Sequence, residues 1–577
     1  EVRSDLRFIV ERATAVRDDV RRVVLPLASA TVVAATLMVV LVGALWVDRH
    51  EREVALLEAL GVSRAAIVAR AVVEVAPPAV SGAAIGAFLA VPVASAVGPR
   101  AVGFGDVASA VAVSVPALVA CAVTFAAGVA LRRRSRPRHA RAALVTVAIV
   151  EAASVAAATA TALVLGDDSG GGAMEPRTVL AAVAFVVSAT TAALLPLIVA
   201  MRVVAGRIRG RRPVVMLATR RLVADAFPTA AVVGIASACV GLFAFGTILE
   251  GSARRTVDAK AGVFAGAPVS VVAPDLERVP AALAGRATPV RWLADVSTPE
   301  GEVDVLAVDP ATFADAAFWD GSLAEISLDT AMDRLRAGAR AGGGAAPAIV
   351  VGRVPASTHL ESPDLDVQVV ARARAFPGMR SRPLVVVSDA AVAGAGGERR
   401  LWARASLDEV SAALRTEGVD FRRPVTTAAV FDAPAFYTLQ WSFGFVRGTA
   451  ALAAAVATVG FLVHLDLRRR RAVAAEVVLT TMGMARRAQA ASRVIELVVA
   501  LAVGCALGTA LAVLAASGSH RTVDLTPYVP PAAILSVPAK TLALAALAVV
   551  ASVPLLAAAV YLRSPGSPAK VLRSELV

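Results

Sequence analysis

The stretch VALLEALGVSRAAIVARAVVEV, residues 54–75, returns as EVVLTTMGMARRAQAASRVIEL at residues 476–497. The offset is a constant 422, and the gapless match extends to 54–117 and 476–539. Gly61, Arg64, Val72, Glu74, Gly82 and Gly86 meet Gly483, Arg486, Val494, Glu496, Gly504 and Gly508. The run Ser114-Val115-Pro116-Ala117 meets an identical Ser536-Val537-Pro538-Ala539. One helical unit therefore occurs twice, and the function is expected of a pair of such units.

The composition says where these units sit. The chain is 57% hydrophobic and only 18% charged, with a mean hydropathy of +0.71. Apolar runs recur at 24–47, 71–97, 108–131, 142–166, 178–201, 228–249, 442–463, 494–516 and 541–562. Each reaches the ~20 residues that a helix needs to cross a bilayer. Only helices or closed barrels satisfy the backbone in hydrocarbon, and these runs are too long for barrel strands. The expectation is a polytopic α-helical membrane protein with nine transmembrane helices, the lipid bilayer being its solvent.

The net charge of +13 first suggests nucleic acid, but its placement excludes that reading. Segments 48–70, 132–141, 202–221, 466–493 and 563–577 hold 27 basic residues. The short loops 98–107, 167–177 and 517–535 hold three: Arg100, Arg177 and Arg521. The positive-inside rule puts the first set, with the C-terminus, in the cytoplasm. The basic excess then faces anionic headgroups. Residues 1–22 carry six arginines but also Glu1, Asp5, Glu11, Asp18 and Asp19, so placing them outside costs little.

Six regions follow along the chain. Residues 1–22 read as an extracytoplasmic stalk helix with an apolar stripe at Leu6, Ile9, Val10, Ala13, Val16 and Val20. Residues 23–141 form the first helical unit, and 142–205 hold two connecting transmembrane helices. Residues 206–250 bring a cytoplasmic segment and the first helix of the second unit. Residues 251–437 read as a mixed α/β exterior domain. Short strands are expected at 269–272, 303–308, 348–351, 367–371 and 384–387, and a helix at 407–417 behind the capping pair Ser406 and Glu409. Residues 438–577 complete the second unit and add a cytoplasmic tail. Subtracting the offset from 228–437 leaves the first unit without its own helix and exterior domain. The repeat thus predicts roughly 200 further N-terminal residues and a ten-helix whole.

Residues 51–66 form a short cytoplasmic helix. Val54, Leu56, Leu57 and Leu60 give it an apolar face, while Glu51, Glu53 and Glu58 stay solvent-side. Gly61 ends the helix and Ser63 caps the next. Such a protruding leucine-bearing end suits a groove in a partner protein. The bland alternative is an amphipathic turn lying on the membrane. Gly82-x-x-x-Gly86 and Gly504-x-x-x-Gly508 are small-residue pairs for close helix packing in lipid. Glu74 and Glu496 sit about a turn inside their helices. They read first as interfacial groups snorkelling or pairing with Arg70 and Arg493, and second as an intramembrane ion site.

The stretch 51–66 resembles the signature of the FtsX-like permease family, the membrane subunits of MacB/Lol-type ABC systems. In that family an acidic, Leu-rich helix ending in Leu-Gly-x-Ser/Thr links two membrane helices. Residues 217–234 resemble the start of such a module, and 568–573 its usual ending. The resemblance implies an ABC transporter permease with a duplicated FtsX-like helical module in a bacterial cytoplasmic membrane. It implies a cytoplasmic ATPase dimer docked on the two cytoplasmic segments. The docking residues would be Glu53, Val54, Leu56, Leu57, Leu60, Gly61 and Arg64, with Glu476, Leu479, Met482, Gly483 and Arg486 in the second copy. That copy departs from the pattern, since Thr480 and Thr481 replace Glu58 and Ala59.

No lysine follows a glycine, so the chain carries no phosphate-binding Walker A loop, and an ATPase would be a separate chain. Metalloprotease, Gly-x-Ser-x-Gly and Cys-x-x-Cys patterns are absent from the sequence. No catalytic residue, cofactor or metal is therefore assigned. Cys121, Cys239 and Cys505 fall in apolar helices and imply no disulfide framework. The expected function is transmission of ATP-driven motion to the exterior domain, for export, lipid or lipoprotein extraction, or mechanotransmission. An envelope protein, a lipid or a peptide is the expected ligand of 251–437. The alternatives are an envelope sensor or scaffold, and a secondary transporter using Glu74 and Glu496.

Overall fold

The computed structural model describes residues 50–97, 119, 122–123, 125–126, 152–163, 176–207, 213–224, 226–340, 344–380, 382–431, 448, 479–524 and 530–562. The spans expected at 24–47, 108–131 and 442–463 lie almost wholly outside these residues, as do the stalk at 1–22 and the tail.

Helix α1 (Glu51–Ala59) turns into the long α2 (Arg64–Val97). Helices α3 (Pro176–Ala192), α4 (Leu194–Arg207) and α5 (Pro213–Ala224) follow. Helix α6 (Ala226–Ala265) has 40 residues, about 60 Å at 1.5 Å per residue. The boundary expected at 250/251 thus falls inside one unbroken helix. The apolar run gives way at Glu250, but nothing there breaks the backbone, and Ser252 and Thr256 satisfy their hydroxyls on carbonyls one turn back.

The region after α6 is a mixed nine-stranded sheet domain. In chain order its elements are β1 (Val269–Val272), β2 (Ala287–Thr298), β3 (Gly301–Val308), α7 (Phe313–Ala316), α8 (Leu328–Arg340), β4 (Ala346–Val351), β5 (Ser357–Glu361), β6 (Asp364–Ala373), β7 (Leu384–Ser388), β8 (Glu398–Ala403), α9 (Leu407–Thr416), β9 (Arg422–Thr426) and α10 (Thr427–Phe431). The strand order is β5-β6-β4-β7-β3-β2-β8-β1-β9. β3 and β7 pair in parallel, as do β4 and β6, and the other pairs are antiparallel.

The five expected strands lie within β1, β3, β4, β6 and β7. Of the four the sequence did not signal, β5 and β9 are the sheet edges, where one side needs no apolar residue. β8 opens with Glu398-Arg399-Arg400, and β2 holds a proline, Pro289, and a register shift between Leu293 and Val296. Helix α9 has the expected capping box. Ser406 Oγ accepts from the Glu409 amide at 3.2 Å, and Glu409 Oε2 accepts from the Ser406 amide at 3.3 Å.

The main core lies on one sheet face under α8. There Phe313 stacks on Phe376 at 5.6 Å beside Trp402, Met332 and Leu335. Val263 and Ala267 belong to this same core, so the end of α6 is built into the domain. The Gly378 amide donates to the Val263 carbonyl at 2.7 Å, and the Phe318 amide to Gly266 at 2.9 Å.

Back in the membrane part, α11 (Arg486–Ser519) packs along α6 and against α3, α5 and α12 (Ala539–Leu562). Among the described residues four stretches are long and apolar enough to cross a membrane: Ala65–Gly86, Ala181–Val203, Val232–Ala265 and Arg487–Ser519. Ala152–Leu163 and Ala539–Ser552 are shorter apolar helices.

Candidate functional site

The two repeated segments turn on a glycine, as elbows. At the end of α1, the Gly61 amide donates to Glu58 and the Val62 amide to Leu57, both at 3.0 Å. Gly61 has φ +80°, the left-handed conformation that lets the chain turn and satisfy these carbonyls. The same pair of bonds recurs at Gly483, φ +87°. There Gly483 donates to Thr480 and Met484 to Leu479, again at 3.0 Å.

The next helices start differently. Ser63 Oγ accepts from the Ala66 amide at 3.3 Å, whereas Ala485 has no capping side chain. Instead Gln489 Nε2 reaches back to Thr480 Oγ1 and the Met484 carbonyl, both at 3.2 Å. The threonine that departs from the pattern of the first copy is thus bonded to the second elbow's own glutamine.

In the first elbow Val54 is buried, Leu57 half-buried, and Leu56 and Leu60 are 62% and 72% exposed. Met482 stands 78% exposed at the tip of the second. The apolar stripe therefore splits: Val54 packs inward, and the leucines at the turn face outward. Glu53 pairs with Arg70 across the first elbow, and Glu74 Oε1 lies 3.6 Å from His50 Nε2. This differs from the Glu74–Arg70 pairing that sequence spacing suggested, because α1 folds back and brings its own acid to Arg70. Glu476 lies outside the described residues.

Glu496 is 5% exposed and shares its neighbourhood on α11 with the buried Gln489, Ser492 and Arg493. Arg221 of α5 donates to Ser492 Oγ at 3.4 Å. Glu74 is much more open, its side chain 46% exposed. Equivalent positions in the repeat therefore occupy unlike surroundings.

The glycine pairs differ in the same way. A Cβ at Gly504 would lie 2.8 Å from the Ala236 Cβ and 2.9 Å from the Val233 carbonyl oxygen. One at Gly508 would lie 2.3 Å from the Ser237 carbonyl oxygen and 2.9 Å from the Gly241 nitrogen. Helices α6 and α11 thus cross backbone to backbone. Among the described residues, nothing lies within 4 Å of a Cβ placed at Gly82 or Gly86.

At the other end of α6 the structure assembles a group that sequence reasoning missed. Lys260 Nζ donates to both oxygens of Asp524, at 2.6 and 2.8 Å. Their side chains are 9% and 5% exposed. Ser252 Oγ accepts from the Ser536 amide and Thr256 Oγ1 from the Ile534 amide, each at 2.9 Å. Two signals were available: Lys260 is one of only three lysines, and Ser536 opens the repeated Ser-Val-Pro-Ala run.

The sheet domain carries a titratable cluster on edge strand β5. His359 Nδ1 lies 2.9 Å from Asp366 Oδ1, and Nε2 lies 3.6 Å from Asp364 Oδ1. The Asp366 hydrogen bond, then the charges of Asp366, Asp364 and Glu361, raise the imidazole pKa above 6.5. A raised histidine pKa adds stability that is complete below the unfolded value and fades as pH rises through the folded one. His359→Gln is therefore expected to lower the melting temperature most below the ordinary histidine pKa of about 6.5, with the gap to wild type closing as pH rises above it. Thermal unfolding across that range checks this, and a pH-independent gap would contradict it. No group of three or more His, Cys, Asp or Glu arranged to hold a metal occurs among the described residues.

Comparison with known families bears on the first elbow and its helices. Residues 27–137 match the family described as FtsX-like permease C-terminal. The match is consistent with an FtsX-like permease. No curated protein matches the chain. The FtsX-like region contains the Gly61 elbow, Glu74 and the Gly82 and Gly86 pair. Together with the apolar helices it makes this a membrane protein. The FtsX-like permease family suggests a permease subunit of an ABC transporter. Such subunits are typically non-enzymatic and normally work with an ABC ATPase.

Proposed function

We propose that this chain couples ATP hydrolysis by a separate cytoplasmic ATPase dimer to movement of its exterior domain. The chain crosses a bacterial cytoplasmic membrane nine times, with the C-terminus inside. The ATPase docks on the elbows at 51–66 and 473–488, through the exposed Leu56, Leu60 and Met482. Val54, Leu57, Leu479, Gly61, Gly483, Arg64 and Arg486 shape the elbows, and Glu53 and Glu476 flank them. The exterior domain meets its ligand, an envelope protein, a lipid or a peptide.

One observation carries this reading. Helix α6 is continuous from its crossing with α11 to the core of the exterior domain. Helix α11 begins at the Gly483 elbow. A force applied at that elbow therefore has an unbroken helical path outward. Two states that differ in their docking contacts are what ATP binding can bias.

Leu60→Glu and Met482→Glu test the docking surface, since both side chains already face solvent and their loss leaves the fold intact. Each is expected to cut permease-stimulated ATPase activity by about tenfold or more, as loss of a central apolar anchor does. Membrane insertion should be unchanged. Wild-type co-purification of the ATPase with the double variant would rule out these elbows as the docking site.

A further inference from the structure

Ser252, Thr256 and Lys260 stand four residues apart on α6 and share one stripe. All three bind the connection between α11 and α12. That connection runs from the short 3-10 turn His520–Val523 to Pro538. Residues 532–538 have no regular structure, so their amides lack the partners a ladder or helix would give.

The hydroxyls of α6 meet that need. Ser252 Oγ donates to Ile248 at 2.7 Å and Thr256 Oγ1 donates to Ser252 at 2.7 Å. Each hydroxyl hydrogen is thus used within the helix, and the oxygen is left to accept. The Ser536 and Ile534 amides take those places. One turn further on, Lys260 grips Asp524 through both carboxylate oxygens in a site closed to water. Separating a buried charge pair is costly, because each charge loses a hydrogen-bonded counter-charge in a site of low dielectric. Prolines at 530, 531 and 538 fix backbone angles in the bound segment.

We infer that Ser252, Thr256 and Lys260 form a clamp that locks the outer α11–α12 connection onto α6, so that displacement of α11 is delivered to the exterior domain. The clamp is a positioning device, and its role in transmission rests on the permease reading above. It gives α6 a second fixed point beyond the Gly508 crossing. With two points held, α11 cannot slide along α6 without carrying it.

Hydrogen exchange by mass spectrometry on the full chain tests the clamp directly. In Thr256→Val/Lys260→Met, peptides covering 530–540 are expected to exchange about tenfold faster or more, as for a locally opened segment. Peptides from 269–431 should exchange at the wild-type rate. The swap Lys260→Asp/Asp524→Lys, with Thr256 kept, should restore protection. Wild-type protection of Ile534 and Ser536 in the first variant would overturn the clamp.

A second arm reads ATPase stimulation with the partner ATPase present. Loss of stimulation in the loosened variant and its return in the swap support transmission. A loosened connection with full stimulation overturns it. No stimulation by the wild-type chain counts against the permease reading and leaves the exchange result standing.

Discussion

Gly508→Ala is expected to destabilise the membrane part by about 3 kcal/mol, the upper range for forcing volume into a packed interface. The added Cβ would sit 2.3 Å from the Ser237 carbonyl oxygen and 2.9 Å from the Gly241 nitrogen. Both are backbone atoms of α6, so no rotamer change relieves the overlap. The helices must separate, which also pulls apart the buried cluster of Phe245, Ile248, Ala512 and Ala515. Ser237 is fully buried and its hydroxyl lies 3.2 Å from Thr190 Oγ1, so it cannot swing aside cheaply. Gly86→Ala is the control at the equivalent place in the repeat. Among the described residues nothing lies within 4 Å of a Cβ there. Replacing a helical glycine in open space should be neutral or stabilise by up to about 1 kcal/mol. Monodisperse protein remaining after a heat step, measured by size-exclusion chromatography, compares the two. Equal behaviour would mean that α6 and α11 do not cross this closely.

Gly266→Ala is expected to destabilise the sheet domain by about 4 kcal/mol, from two separable causes. Gly266 ends α6 with φ +83°, a conformation that L-residues adopt only at a cost. Its Cβ would also fall 2.2 Å from the Trp402 ring. Trp402 is 1% exposed and packed beside Phe313, so the ring has nowhere to go. Gly285→Ala separates the causes. It shares the left-handed backbone, at φ +71°, but meets nothing within 4 Å. That variant should lose only the backbone share, about 1–2 kcal/mol. Limited proteolysis of the exterior domain in membrane vesicles reads both. Rapid cleavage of Gly266→Ala and near wild-type resistance of Gly285→Ala are expected. Equal resistance would remove the Trp402 contact from the account.

The elbows were the most legible part of the molecule. Gly61 and Gly483 stand alone after short apolar helices, and only a left-handed residue closes such a turn. The capping box at Ser406 and Glu409 was legible for the same reason: its bonds link residues three apart. Strands β2, β5, β8 and β9 were not legible, because their stabilising partners lie elsewhere in the chain and their own alternation is weak. The outer clamp was the least legible. Lys260 and Asp524 are 264 residues apart, and nothing local marks either as half of a pair.

The sequence by itself determined the apolar composition, the uneven placement of the basic residues along the chain, the doubled elbow with its glycines, and the family resemblance. These depend on local periodicity, on charge placement and on single-residue backbone freedom, all written along the chain. Only the tertiary structure decided which of the equivalent positions are in use. Gly504 and Gly508 are pressed against α6 while Gly82 and Gly86 are open, and Glu496 is buried while Glu74 is not. Only the tertiary structure, too, made α6 one helix running into the core of the sheet domain and fastened it to Asp524. Repetition gives two units the same residues, but burial and pairing depend on what each unit packs against, and that is a property of the folded whole.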